Sequence, residues 1–204
     1  MGNMEQRINR IYDALARLGN GNLAGIKPQF SNFSSGVQMV VDFNCNSTEA
    51  ELENATQILI TNIASIRDHL KEWCEQKNTD FKGDSLINTN RSVALVHDLW
   101  NIDKHAKLDR KPRSGVIPSL RELRRSLVLT TGTAAGSAVS FSMDMDGNQS
   151  IQTENGGSAK LEIVGRVVDQ NGKDLGDFRT ICEAAIDAWW AELATSGVPL
   201  AVLA

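Results

Sequence analysis

The chain is predicted to fold as α+β, with a long antiparallel helical hairpin, then an antiparallel β-sheet or meander, then a C-terminal helix. Three observations predict this. Up to about Leu108 the apolar residues recur at helical spacing. After Pro118 the period drops to two and glycine-rich turns divide the pattern. From about Asp177 the helical period returns.

The first segment, "NMEQRINRIYDALARLGNG", sets Met4, Ile8, Ile11, Leu15 and Leu18 on one face and then meets Gly19 and Gly21, an amphipathic helix with a glycine stop. A loop with Pro28 and several serines leads into "VQMVVDF", whose β-branched alternation predicts a strand. A long helix then begins at Thr48, with Glu51 at capping-box spacing, and runs without Pro or Gly to Asn78. Winding it at about 100° per residue collects Leu59, Ile63, Ile66, Leu70, Trp73 and Cys74 in one apolar arc, which predicts core. A turn at "NTDFKGD" follows, and Asp84 is placed to cap the second arm of the hairpin, which runs to about Leu108.

"RRSLVLTT", "SAVSFSMDM", "QSIQT" and "AKLEIVGRVVD" predict strands, separated by "GTAAG", "DGN" and "NGGS". The last helix, Asp177 to Ser196, stops at Gly197 with Pro199 beyond it. Its adjacent Trp189 and Trp190 cannot both face one core. The organisation predicted is a mainly helical part over 1–110 and a β-rich part with the C-terminal helix over 111–204, packed as one unit.

Hydrophobic content of 41% and charged content of 23% are those of a globular protein and argue against extensive disorder. No apolar run is long enough to span a membrane, and the amino terminus lacks the apolar centre of a signal peptide. Gln6 stands where a myristoylation signal needs Ser or Thr. A cytoplasmic protein without membrane contact is expected. Cys45, Cys74 and Cys182 are far apart and lack CxxC spacing, which excludes a disulfide framework or zinc ribbon.

Charge is uneven. Of the 21 Lys and Arg, eight lie between Lys104 and Arg125 (Lys104, Lys107, Arg110, Lys111, Arg113, Arg121, Arg124 and Arg125), against the two acids Asp109 and Glu122. The remainder carries 13 basic and 23 acidic residues, so a segment of +6 sits on a body of −10. A cluster of this kind attracts phosphates even in an acidic protein.

The same segment adjoins the residues with most chemical potential, in "RSVALVHDLWNIDKHAKL". On a helix, Lys104, His97, Asn101, His105, Asp98 and Arg91 share an arc of roughly 140°, opposite Leu95, Leu99, Ile102 and Ala106, with Val93, Val96 and Trp100 beyond. Two readings follow. The arc is either the solvent face of an amphipathic helix or a site for phosphodiester chemistry, with His as acid or base and Arg or Lys holding the phosphate. His69, at the edge of the other arm's apolar arc, reads as a hydrogen-bonded structural histidine.

Arg91 and His97, in "RSVALVH", resemble the signature of HEPN domains, in which Arg, four to six residues and His lie on one helix of a helical bundle. The resemblance implies metal-independent RNA cleavage by a homodimer. His97 would act on a ribose 2′-hydroxyl and Arg91 would stabilise the phosphorane. Asn101, Lys104 and His105 would assist binding, and the stretch from Lys107 to Arg125 would grip the backbone. The stretch "HDLWNIDKHAKL", with "NIASIRDHL" upstream, also looks like a motif pair of bacterial proteins without an assigned activity, which implies a bacterial origin.

No cofactor is called for. Asp68, His69, His97, Asp98, Asp103 and His105 offer metal donors on adjacent helices, but His97 and His105 are about 12 Å apart along the axis. "DMDGNQS" lacks the glycine and glutamate of a calcium loop and reads as a hairpin turn, and no GxSxG elbow or Walker lysine is present. The competing functional class is a non-enzymatic interaction or scaffold module, whose hairpin serves packing while the β half meets a protein partner.

Overall fold

The structure is a computed structural model that describes residues 6, 10, 11, 41, 42, 49–105, 111–143 and 149–198. It is α+β. Gln6, Arg10 and Ile11 are helical and Ile11 is buried, in keeping with the first predicted helix. Thr48, Cys45 and the turn at Asp144 to Asn148 lie outside the described residues.

The predicted long helix is two, α1 (Glu49–Ala64) and α2 (Ile66–Lys77), interrupted at Ser65. Ser65 Oγ donates to the Asn62 carbonyl (3.0 Å), and Asp68 N donates to Ser65 O (3.1 Å), so one tight turn replaces regular helix there. The core arc survives the interruption: Leu59, Ile63, Ile66, Leu70 and Cys74 are buried. Trp73, at its margin, is half-buried under the Lys77 ammonium, 5.2 Å from the ring centre. Asn78, at φ 52°, ends α2 in the left-handed conformation, and Thr79 N closes the cap on Cys74 O (2.9 Å).

The second arm also divides, into α3 (Gly83–Thr89) and α4 (Arg91–His105). Asn90 is extended between them, and its Oδ1 accepts from Val93 N (3.1 Å). An asparagine that caps a following helix cannot also continue the preceding one. Asp84 therefore does not cap the arm; it stands inside the first turn of α3, whose N-cap residue is Lys82.

β1 (Val41–Asp42), β2 (Ser119–Thr130), β5 (Ser158–Val168) and β6 (Asp174–Asp177) neighbour one another in the order β1-β2-β5-β6. β3 (Ala138–Met143) and β4 (Gln149–Glu154) form a separate antiparallel pair in which Phe141 faces Ile151. The predicted "NGGS" turn follows β4: Gly157 N donates to Glu154 O (2.9 Å), with Asn155 and Gly156 both at positive φ. β6 was not predicted, since "KDLGD" carries no apolar alternation.

Two compact units arise. The first comprises Met1–Leu15, Asn54–Glu122 and Gly165–Ala204, the second Ala16–Glu53 and Leu123–Val164. The last helix, α5 (Phe178–Thr195), lies in the first unit with the helices. Asp177 caps it, accepting from Thr180 N (2.9 Å), and Gly197, at φ 73°, ends it. Its buried stripe of Phe178, Ile181, Cys182, Ala185, Ile186, Trp189 and Leu193 recurs at helical spacing, and α5 packs chiefly on α4. Trp189 is buried and Trp190 half-buried, as the adjacent pair requires. In the second unit Leu52, Leu127 and Ile163 are buried.

Candidate functional site

α4 departs most from its predicted amphipathic form. All seven residues from Val93 to Leu99 are buried, so the two turns they form are enclosed on every side. A helix surrounded by protein must satisfy its polar side chains internally. His97 is 9% exposed and Asp98 only 2%, and both have partners.

Asp98 fastens the chain that follows the helix. Its Oδ1 accepts from Arg113 N (3.1 Å), and its Oδ2 accepts from Ser114 N (2.8 Å) and Ser114 Oγ (2.6 Å). Ser114 Oγ also lies 3.0 Å from the Val116 carbonyl. The "KPRSG" turn is thereby held against the middle of α4, with Gly115 at φ 80° completing it.

The side chain of Arg113 is pinned as well. Its Nη1 donates to Asn88 Oδ1 (3.0 Å), and its Nη2 lies 3.6 Å from Asp84 Oδ1. Asp84 in turn receives a bidentate pair from Arg67, Nε to Oδ1 at 2.9 Å and Nη2 to Oδ2 at 3.0 Å. That hydrogen bonding holds the Asp84 carboxyl below its ordinary value despite some desolvation, with the charges of Arg67 and Arg113 adding smaller attractions. The Arg67 guanidinium is raised by the same pair. One carboxylate thus joins α2, α3 and the turn after α4.

The orientation of His97 follows from Asn101. The Asn101 amide nitrogen lies 3.0 Å from the His97 carbonyl oxygen and 2.8 Å from His97 Nδ1. A carbonyl oxygen only accepts, so the amide end facing it must be NH2, and the second amide hydrogen then points at Nδ1. With Nδ1 accepting, a neutral imidazole carries its hydrogen on Nε2. Neither nitrogen is then left to take a proton from a hydroxyl. In this arrangement His97 Nδ1 is an acceptor engaged by the Asn101 amide.

The other predicted residues lie further out. Arg91 is exposed at the first position of α4, about 9 Å along the axis from His97 and rotated from it by about 120°. Arg91 is thus on the surface at the start of α4, and His97 is enclosed. Asn101 is half-buried, and Lys104 and His105 are exposed in the last turn, where positive charge suits the helix C-terminus. Lys111 is exposed and Arg113 half-buried. Lys107 and Arg110 lie outside the described residues. Arg121 is exposed on β2 in the first unit, whereas Arg124 and Arg125 are half-buried in the second.

The metal donors considered from sequence do not converge: among the described residues no three His, Cys, Asp or Glu are grouped to hold an ion. Asp68 pairs with Arg67 (2.7 Å) and Asp98 serves the turn. No described helix is long and apolar enough to cross a membrane. Sequence reasoning missed Arg67, Asp84, Asn88 and Ser114 as parts of this assembly, for nothing in their spacing shows that they meet. No family model, curated protein or solved structure matches the chain.

Proposed function

We propose that the protein binds RNA or a similar phosphate-rich ligand through the exposed end of α4 and the basic stretch after it. The observation that carries this reading is the clamp on that stretch. Asp98 fixes Arg113 and Ser114 to α4, and Asn88 and Asp84 fix the Arg113 side chain to α3, so Lys111 belongs to a turn already ordered before any ligand arrives, and Lys104 and His105 are exposed on the last turn of α4. A preordered cationic surface loses less entropy on binding than a flexible one.

The test is fluorescence anisotropy of a labelled 12-nucleotide RNA across a salt series. Affinity should fall steeply with salt, and Lys104→Glu and Lys111→Glu should each weaken binding and lower the salt slope by about one. Salt-insensitive binding, or none, would discard the reading and favour the protein-interaction module instead.

Metal-independent cleavage by a HEPN-like homodimer is the narrower form of this proposal. The exposed Arg91 at the start of α4 supports it. Since His97 Nδ1 is occupied by the Asn101 amide, cleavage requires that contact to open, and Asn101→Ala should then raise the rate. End-labelled RNA with EDTA present, incubated with wild type, His97→Ala and Asn101→Ala, decides the matter. Equal products from wild type and His97→Ala would remove His97 from the chemistry.

A further inference from the structure

Trp100 is the large aromatic of α4 that the core does not fully enclose. The His97 ring meets it edge-on, with centroids 5.8 Å apart and planes at 67°. The Lys104 ammonium stands over its face, 4.9 Å from the ring centre. Lys104 is itself exposed. An ammonium that touches both water and the ring marks the ring face that opens to solvent.

We infer that this face of Trp100 is a stacking platform for one unpaired base of single-stranded RNA. The inference rests on the phosphate-ligand reading and adds the kind of strand that the site prefers. An aromatic face stacks any base, because every base has a π-face, but the base must be free of its own helix. Lys104 is one turn along α4 from Trp100, and His105 follows it, so the ammonium and the imidazole lie where the phosphates flanking a stacked base would pass. On binding, the ammonium leaves the ring and pairs with a phosphate, exchanging an exposed cation–π contact for a charge-assisted one. His97, edge-on and fixed through Asn101, keeps the indole from turning away. Paired RNA cannot offer a base in this way, so it gains from the cations alone.

The experiment compares a labelled 12-nucleotide single strand with a duplex of equal length, using wild type, Trp100→Leu and Trp100→Phe at one salt concentration. Trp100→Leu should weaken single-strand binding about tenfold, within the range of one lost base stack, with the salt slope retained and duplex binding unchanged. Trp100→Phe should restore most of the loss. Equal loss for both RNAs, or none for either, overturns the inference while salt-steep binding by wild type keeps the broader reading standing. Absence of RNA binding by wild type overturns both. Should Trp100→Leu fail to fold, tryptophan fluorescence takes its place: single-stranded RNA should quench wild type and not Trp100→Phe, and equal quenching of the two overturns the inference.

Discussion

Replacing Asp98 by alanine removes the acceptor of three hydrogen bonds, two from the backbone of Arg113 and Ser114 and one from Ser114 Oγ. Hydrogen bonds to a charged acceptor contribute about 1.5–3 kcal/mol each. Two effects reduce the sum. Arg113 and Ser114 are half-buried, so their freed donors regain some water, and the desolvation cost of the buried carboxylate disappears with it. We therefore expect a loss of about 2–4 kcal/mol. An unfolding entropy of about 2.1 cal/mol/K per residue makes that a fall of roughly 5–10 °C in Tm for a chain of this length. Asp98→Asn should cost nearly as much, because its NH2 group would face a donor. Ser114→Ala, which removes only the hydroxyl, should cost about 1 kcal/mol. Urea unfolding gives the totals, and amide exchange at Ser114 shows whether the turn itself is released. A loss below about 0.5 kcal/mol with Ser114 N still protected would mean that something other than Asp98 holds the turn.

Three further outcomes are expected. Asp84 titrates below its ordinary range in the folded state, so its contribution is complete above the unfolded carboxylate value near pH ~3.9 and is lost as pH falls through the lower folded value; the stability gap between wild type and Asp84→Asn should close between pH 5 and the acid limit of folding, and a gap independent of pH would contradict the Arg67 pairing. Asn90→Ala should cost about 1 kcal/mol through loss of the Val93 N–H acceptor, and chemical denaturation showing no change would mean that the cap does not set the start of α4. Burial pushes the Cys182 thiol up, with Asp177 and Glu183 acting in the same direction, so alkylation at pH 8 read by mass spectrometry should spare Cys182 until the protein unfolds; rapid labelling of the native protein would show that α5 opens locally.

The elements that were legible in the sequence are those whose information is local. The β3–β4 pair was written in alternation and turn residues, and the start and stop of α5 in Asp177 and Gly197. The breaks at Ser65 and Asn90 were not seen, since each depends on one side chain turning back on its own backbone instead of facing outward. The same limit governs the site. Arg67, Asp84 and Arg113 are 17 and 29 positions apart in pairs, and periodicity carries no information about a meeting of that range.

The arc of polar residues on α4 shows why periodicity misjudged its exposure. A 100° step places His97 and Asp98 beside Lys104 and His105, but it takes no account of what packs above each turn. The last turn of α4 is exposed and the stretch from Val93 to Leu99 is enclosed, so one arc contains two kinds of residue. Buried polar groups at Asp98 and His97 are tolerable only because Ser114, Arg113 and Asn101 satisfy them. That satisfaction has a consequence for function. The buried half of the arc orders the turn and orients Trp100, while the exposed half supplies charge at its edge. Substitutions in the buried half should therefore change stability and ligand affinity together, whereas Lys104 and Lys111 should change affinity alone. A Lys104→Glu variant that bound RNA less tightly and also unfolded several degrees earlier would show that this separation is wrong.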